Sequence, residues 1–133
     1  LVRYDNTKDL GEARILLVED VEYNYMIAEK MLTGWNAYVD IAQNGVEAVS
    51  MARKNTYDIV LMDLQMPVMD GYNATRHIRY FNESIPIIAL TAYASRDILH
   101  TSDCGLTDFL GKPFNSPELF DIVQKYTTKK LDS

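Results

Sequence analysis

The sequence has little cysteine, proline or glycine, the residue types that mark disulfide-bonded, disordered and linker segments. Its 133 residues include one cysteine, four prolines and six glycines. The lone Cys104 has no partner for an internal disulfide, so a reducing, cytoplasmic location is expected. Because 47% of the residues are apolar, the chain is also too hydrophobic for a disordered tail. The composition predicts one compact globular domain.

Positive charge and long apolar runs are also scarce. The 13 Lys and Arg residues are outnumbered by 19 Asp and Glu residues, which gives a formal net charge of −6. An acidic surface disfavours nucleic acid and anionic membranes as direct partners of this domain. The longest apolar runs, such as Ile15 to Val18, have only four or five residues, whereas roughly 18 are needed to span a bilayer. Any membrane anchor is expected in another part of a longer parent chain.

The N-terminal stretch, residues 1–13, is polar, lacks an apolar signal core and does not begin with methionine. We interpret it as a leader or linker from a longer chain. The domain itself is predicted over residues 14–127, and residues 128–133 are predicted as a C-terminal tail.

Short apolar runs predict the strands of the fold. Ile15–Val18, Ile59–Met62 and Ile87–Leu90 are continuously apolar, which is typical of strands buried on both faces of a parallel sheet. Ala37–Ala42 alternates apolar and polar residues and is predicted as an edge strand, and Phe109–Leu110 is a short fifth strand. With helices between them, these strands predict a doubly wound α/β sheet whose ligands bind outside the carboxyl ends of the strands.

Apolar residues with helical spacing lie between the predicted strands and after the last one. They are Tyr23, Ile27 and Met31; Val46, Val49 and Ala52 after Gly45; Ala74, Ile78 and Phe81 after Gly71; and Leu119, Ile122, Val123 and Tyr126.

Two further helix ends are predicted from capping residues. A fourth helix is predicted from Ser95, as its N-cap, to Cys104, and Gly105 ends it. The fifth helix is predicted to open with Ser116 as its cap and Pro117 at the first helical position.

Polar side chains follow the apolar strands. Glu19 and Asp20 follow the first strand, Asp63 the third, Thr91 the fourth and Lys112 the fifth. Because the carboxyl ends of parallel strands share one edge of the sheet, these side chains are expected to converge. Carboxylates held close together repel one another, and a hard cation such as Mg²⁺, Mn²⁺ or Ca²⁺ relieves the repulsion. Mg²⁺ is favoured because it keeps several waters and leaves room for a phosphoryl oxygen.

This set of residues predicts phosphoryl transfer onto a carboxylate. Asp63 is the central candidate nucleophile, while Lys112 and Thr91 would bind phosphoryl oxygens by charge and by a hydrogen bond. Taken singly, Asp20 could cap the next helix, Thr91 could be a strand-end hydroxyl and Lys112 a solvated charge. Asp63 has no capping role, because a loop separates it from the next helix. The conjunction of all five residues favours the functional interpretation.

Four segments resemble a known family. They read ILLVED (Ile15–Asp20), DLQMPVMDG (Asp63–Gly71), PIIALTA (Pro86–Ala92) and KPF (Lys112–Phe114). In this order and spacing they resemble the receiver domains of two-component response regulators and hybrid histidine kinases, from roughly Arg14 to Tyr126. The resemblance implies a flavodoxin-like (βα)5 fold with five parallel strands in the order 2-1-3-4-5, as in the chemotaxis response regulator.

The resemblance also implies the chemistry of the acidic residues. Asp63 would be the phosphoacceptor that attacks a phosphohistidine on a partner. Mg²⁺, or alternatively Mn²⁺, would be held by Glu19, Asp20, Asp63 and the backbone carbonyl of Gln65.

The remaining site residues would sense the phosphoryl group. Lys112 would contact it, and Thr91 would move toward it as the switch hydroxyl while Phe109 turns inward. The Lys112–Pro113 peptide bond would be cis, which aims the lysine inward. The fourth helix, fifth strand and fifth helix would form the output surface and a weak dimer contact.

Gln65 and Tyr93 occupy positions that vary within the resembled family. Both are expected at the mouth of the site, where they would screen the acyl phosphate from water and slow its self-hydrolysis. The alternative is that both are plain surface residues.

The segment from Gln65 to Tyr72 resembles receivers of hybrid sensor kinases more than receivers joined to DNA-binding domains. The expected parent is therefore a sensor histidine kinase, and a stand-alone or DNA-binding response regulator is the alternative. The domain itself would catalyse at most its own dephosphorylation. Its expected partners are a histidine kinase domain, a histidine phosphotransfer protein, or both. Docking would use the first helix, whose residues Tyr23, Tyr25, Met26, Ile27 and Met31 cannot all face inward.

Two other protein classes share part of this pattern. A haloacid-dehalogenase-type hydrolase needs a second Asp two residues after the nucleophile, where this chain has Gln65. A flavodoxin-like electron carrier needs a Gly/Ser/Thr-rich phosphate loop after the first strand. The acidic run Glu19–Glu22 would repel phosphate at that position.

Overall fold

Strands and helices alternate along the chain. The computed structural model describes residues 8–95, 97–101 and 103–128, so most of the predicted leader and tail lies outside the described residues. The elements are β1 (Arg14–Val18), α1 (Glu22–Gly34), β2 (Tyr38–Ala42), α2 (Gly45–Lys54), β3 (Ile59–Asp63), α3 (Gly71–Phe81), β4 (Ile87–Thr91), α4 (Ile98–Thr101), β5 (Asp108–Gly111) and α5 (Ser116–Thr127).

The strands form one parallel sheet in the order β2-β1-β3-β4-β5, which confirms the predicted fold class. All five residues of β3 and of β4 are buried, as their continuous apolarity predicted. Strand β2 lies at the edge and alternates between exposed and partly buried residues. The strand order reverses direction between β1 and β3, and ligands of doubly wound sheets bind at such a switch point.

Two helical layers cover the sheet, because alternate residues of each strand face opposite sides. On one side Ile15 and Leu17 of β1 pack with residues of α1 and α5. On the other side Leu16 and Val18 pack with residues of α2 and α3. Within the described residues, no helix is long and apolar enough to cross a bilayer.

The chain just before β1 packs against the end of α1. Leu10 and Ala13 are buried in the core cluster on the α1 side. The backbone N–H of Leu10 donates to the Trp35 carbonyl at 2.7 Å, and that of Glu12 donates to the Asn36 carbonyl at 2.8 Å. The described part of the predicted leader therefore packs against the domain and is hydrogen-bonded to it.

The buried face of α1 differs from the apolar stripe expected from the sequence. Ala28 and Leu32 are the buried residues of α1, whereas Tyr23 is 73% exposed and Ile27 is 38% exposed. Ala28 and Leu32 lie one turn apart on the face of α1 that packs in the core, so Tyr23 and Ile27, which lie on another side of the helix, remain exposed. Met26 is also exposed, so apolar surface is left over on α1, as expected.

The cap of α5 lies one residue before the predicted one. Asn115, not Ser116, is the N-cap: its Oδ1 accepts from the Glu118 N–H at 2.9 Å. Glu118 Oε1 accepts in return from the Asn115 N–H at 2.9 Å, which completes a capping box. Pro117 consequently sits at the second helical position.

The fourth helix is shorter than predicted: its described helical residues are Ile98–Thr101, Asp97 lies in a turn, and neither Asp103, with a positive φ of 49°, nor Cys104 is helical. Arg96 and Ser102 lie outside the described residues. Ser95 precedes the helix in a turn, where its Oγ accepts from the Asp97 N–H at 3.2 Å. Gly105 follows with a positive φ of 106°, a conformation that glycine tolerates.

Arg79, near the end of α3, joins three segments of the chain. Its guanidinium donates to the carbonyls of Gly105 at 2.9 Å and Ile85 at 2.7 Å and to Thr107 Oγ1 at 3.2 Å. The same Thr107 oxygen accepts from the Ile87 N–H at 2.9 Å. Partial burial lowers the pKa of Arg79, but the group stays charged at any physiological pH. The cation therefore holds α3 to the chain entering β4 and β5.

Replacing Arg79 with Met should lower the free energy of unfolding by about 2 to 4 kcal/mol, because several part-buried acceptors lose their donor. Urea denaturation followed by circular dichroism measures this loss. The matched control is Arg53→Met on α2, where an exposed guanidinium lies 4.5 Å from the Phe81 ring centroid and the expected loss is below about 1 kcal/mol. Equal losses in the two variants would contradict the role given to Arg79.

Candidate functional site

The carboxyl edge of the sheet brings the predicted acidic residues together. Glu19 and Asp20 follow β1, and Asp63 ends the neighbouring strand β3. Carboxylate oxygens of all three residues lie within 4.8 Å of one another. Glu19 and Asp63 are buried at 2% and 4% exposure, while Asp20 is half-buried. Their proximity follows from the parallel register, in which Val18 pairs with Met62.

Lys112 reaches this cluster from the end of β5. Its Nζ lies 2.8 Å from Glu19 Oε1 and 3.4 Å from Asp63 Oδ2. The Lys112–Pro113 peptide bond is cis, as expected. Burial alone would lower the pKa of Lys112, but its hydrogen bonds and ion pairs with Glu19 and Asp63 outweigh burial and raise it. One ammonium thus serves two buried carboxylates.

Burial disfavours the charge of the Asp63 carboxylate. Burial raises its pKa from the ordinary 3.8 to about 6. The Gln65 N–H, which donates to Asp63 Oδ1 at 3.1 Å, opposes the rise, and the nearby Glu19 charge adds to it. Lys112 lowers the pKa but does not cancel the effect of burial. An added cation would therefore stabilise the ionised site.

Asp20 does not act as a helix cap. The N-cap position of α1 is Val21, and this helix start has no side-chain cap hydrogen bond. The Val21 N–H instead donates to Glu19 Oε2 at 3.1 Å, which orients that carboxylate. Helix capping therefore does not explain Asp20, whose carboxylate lies beside those of Glu19 and Asp63.

Thr91 and Phe109 lie on the side of the site toward β5. Thr91 is buried, and its Oγ1 accepts from the Tyr93 N–H at 3.0 Å. Its carbonyl accepts from the Lys112 N–H at 2.8 Å, which ties the ends of β4 and β5 together. Phe109 is half-buried and packs with Leu64 and other residues beside α4.

The two residues expected at the mouth of the site are exposed. Tyr93 is 73% exposed on the connection after β4. The Gln65 side chain is exposed on the connection after β3, although its backbone N–H bonds Asp63.

Sequence reasoning assigned no role to a cavity of about 490 Å³ beside the site. Ile27 and Met31 of α1 line one wall, and Pro113 and Phe114 line another. Glu19 and Lys112 lie among its lining residues, so the cavity adjoins the acidic cluster. The available signals were the Pro-Phe pair after Lys112 and the surplus of apolar residues on α1.

The donor set fits a hard divalent cation. Three carboxylates offer only oxygen ligands, and no His or Cys joins this cluster among the described residues. Oxygen ligands and open coordination positions are what Mg²⁺ uses in phosphoryl-transfer sites, whereas structural zinc takes nitrogen and sulfur. The site therefore pairs a potential metal position with a buried carboxylate and a lysine.

Comparisons with known proteins agree with this geometry. A family model described as the response regulator receiver domain matches residues 15–124. The transcription factor SKN7 of Saccharomyces cerevisiae is 35% identical over 129 residues, which cover 96% of this chain and 21% of that protein. The aerobic respiration control sensor protein ArcB of Escherichia coli is 36% identical over 120 residues, which cover 88% of this chain and 15% of that protein.

The structural comparison reaches the same family. The receiver domain of the sensor histidine kinase PA1611 from Pseudomonas aeruginosa superposes with a TM-score of 0.82 at 40% identity and covers 90% of this chain and 100% of that one. That crystal structure has a magnesium ion coordinated in its active-site cleft. This chain spans about a fifth or less of the two sequence relatives, at 21% and 15% of their lengths. By its family match, its parallel sheet and its relatives, the chain belongs to the response regulator receiver domains of two-component signal transduction.

Proposed function

We propose that Asp63 is the phosphoacceptor of this receiver domain and takes its phosphoryl group from a phosphohistidine. The observation that carries the proposal is a buried Asp63 carboxylate, 3.4 Å from Lys112 Nζ, inside a cluster of three acidic groups. Burial disfavours the charge on Asp63, and an acyl phosphate formed there would carry still more negative charge, so cations are needed by the ionised carboxylate and by its phosphorylated form. Lys112 pairs with two of the three carboxylates, so the cluster keeps an excess of negative charge at the strand switch point.

Mg²⁺ would be held by the carboxylates of Glu19, Asp20 and Asp63 and by the Gln65 carbonyl. When bound, it supplies positive charge that neutralises the phosphoryl oxygens during transfer. The finding that a 40% identical receiver holds magnesium in its cleft supports this choice of metal. Mn²⁺, which accepts the same ligands, is the alternative ion.

In the transfer, a carboxylate oxygen of Asp63 attacks phosphorus and forms the O–P bond. The N–P bond of the phosphohistidine breaks, and its electron pair returns to the departing imidazole, which is then protonated. Lys112 carries positive charge 3.4 Å from Asp63 Oδ2 and stabilises the charge on the phosphoryl oxygens. The Thr91 hydroxyl, now bonded to the Tyr93 N–H, turns toward the phosphoryl group as the switch element, and Phe109 responds.

The phosphoryl donor or acceptor is a histidine kinase domain or a histidine phosphotransfer protein that docks on α1. Tyr23, Met26 and Ile27 of this helix are exposed, and Ile27 lines the cavity beside the site. A hybrid sensor kinase is the proposed parent, with the domain on the cytoplasmic side, in line with the likeness to the ArcB and PA1611 sensors. A parent of the transcription-factor type is the alternative that the 35% identity to SKN7 supports.

Incubation with acetyl phosphate tests the acceptor directly. We expect a gain of one phosphoryl group that requires Mg²⁺, because the uncompensated site repels an anionic donor. The measurement is the intact mass of the protein with Mg²⁺ and with a chelator. Asp63→Asn should abolish the gain, and Asp121→Asn, on the exposed surface of α5, should leave it unchanged. Phosphorylation that persists in Asp63→Asn would identify a different acceptor and refute the proposal.

Without Mg²⁺, Asp63→Asn should be more stable than the native protein above pH 6. The folded protein holds the Asp63 proton up to a pKa of about 6, against 3.8 ordinarily. It therefore binds more protons than the unfolded chain in this window, and its stability falls as pH rises through it. The expected advantage of Asn is about 1 to 3 kcal/mol near pH 7 and disappears below about pH 4.

Urea unfolding in the presence of a chelator, at several pH values, measures this difference. Asp121→Asn serves again as the matched control, because its carboxylate is exposed. A difference between Asp63→Asn and the native protein that does not change with pH would contradict the electrostatic account.

Tyr93→Ala should shorten the lifetime of the phosphorylated domain, roughly two- to tenfold, because a smaller side chain at the mouth admits water to the acyl phosphate. The rate is measured by the loss of phosphorylated mass after removal of acetyl phosphate. Tyr80→Ala is the control, since Tyr80 on α3 is 84% exposed. An unchanged lifetime in Tyr93→Ala would show that Tyr93 is a plain surface residue.

A further inference from the structure

The connection between β3 and α3, residues 64–70, carries Gln65 beside the site. It is closed at its base by the Gly71 N–H, which donates to the Leu64 carbonyl at 3.1 Å. Asp70 caps α3 through the Asn73 N–H at 2.8 Å. In between, the β-branched Val68 has a positive φ of 72° and is 84% exposed. Such a strained backbone persists only where surrounding contacts hold it.

The start of α2 contacts this connection at Met69. Gly45, the first residue of α2, is buried, and its N–H donates to the Met69 carbonyl at 3.1 Å. This hydrogen bond uses one of the N–H groups that a helix start leaves without an intrahelical partner. The start of α2 thus binds the backbone of the connection directly.

The start of α2 lies so close to Met69 that only glycine fits at position 45. A Cβ on Gly45 would lie 2.4 Å from the Met69 carbonyl oxygen, 2.8 Å from Met69 Cγ and 2.9 Å from Met69 Cβ. The nearest of these is a backbone atom, which cannot rotate away as a side-chain end could. Any larger residue at position 45 must displace the connection from α2.

No local backbone requirement explains this glycine. Gly45 is helical and does not have a positive φ. Alanine has a higher helix propensity at such a position, so the helix alone would favour alanine. The close approach of Met69 is therefore the physical reason for glycine.

We infer that Gly45 is a positioning residue for the metal and phosphoryl site. The contact of Gly45 with Met69 fixes the position of the connection that contains Gln65. The Gln65 N–H donates to Asp63, and the Gln65 carbonyl is the proposed metal ligand. The Mg²⁺ affinity of the site then depends on a helix that contributes no ligand. This inference rests on the proposed function.

Gly45→Ala tests the inference, with two matched controls. Gly34→Ala makes the same change in α1, where a Cβ meets nothing within 4 Å. Asn44→Ala removes the side-chain cap of α2, which accepts from the Glu47 N–H at 2.9 Å, but leaves the contact between Gly45 and Met69 intact. It separates a general weakening of α2 from displacement of the connection.

The first measurement is the Mg²⁺ dissociation constant of each protein by calorimetric titration. Gly45→Ala should bind Mg²⁺ about tenfold more weakly, as for other changes behind a metal ligand. The second measurement is the amide NMR spectrum without Mg²⁺, in which the Gln65 and Met69 resonances should shift only in Gly45→Ala. Both controls should keep the native affinity, although Asn44→Ala loses stability.

The Mg²⁺ titrations distinguish a failure of the inference from a failure of the proposed function. A native protein that does not bind Mg²⁺ overturns the proposed function and the inference together. A native protein that binds Mg²⁺ while Gly45→Ala binds it equally well overturns the inference alone. If Gly45→Ala does not fold, a protein with a backbone ester in place of the Gly45 amide decides by the same titration, because it removes only the N–H that donates to the Met69 carbonyl. Weaker binding by the ester protein supports the inference, and native affinity overturns it.

Discussion

Three carboxylates meet at the carboxyl edge of the sheet with a single ammonium between two of them, and the chemistry of the site depends on that charge imbalance. Lys112 lies 2.8 Å from Glu19 and 3.4 Å from Asp63, so its charge is divided. Burial raises the pKa of Asp63 to about 6, which measures the cost left over. A cation removes this cost, and a cation would also be needed to balance the additional negative charge of an acyl phosphate on Asp63.

The parallel sheet supplies the rigid part of this arrangement. Strands β1, β3, β4 and β5 deliver their polar side chains to one edge, and their fully buried residues fix the register. The connections after the strands complete it. Thr91 Oγ1 accepts from a backbone N–H of its own connection, and the Gly45 N–H donates to the connection that carries Gln65. The acidic groups are thereby held in place by the sheet and by the connections around them.

Much of this was predictable from the sequence, because the relevant signals are local. Continuous apolarity marked β1, β3 and β4, and the polar residue after each of them located the site. The buried face of α1 was not predictable, because the choice of Ala28 over Tyr23 depends on which side of the helix packs in the core. Nor was the contact of Gly45 with Met69, because it joins the start of α2 to the connection after β3, which only the folded chain brings together.

A crystal structure with Mg²⁺ and beryllofluoride, a phosphoryl analogue, would show which group accepts the phosphoryl group. We expect beryllofluoride on a carboxylate oxygen of Asp63 and Mg²⁺ bound by the acidic cluster. We also expect Lys112 Nζ to have moved from Glu19 to the analogue. Beryllofluoride on another carboxylate, or an acidic cluster without Mg²⁺ under saturating conditions, would show that Asp63 is not the acceptor or that the cluster is not the metal site.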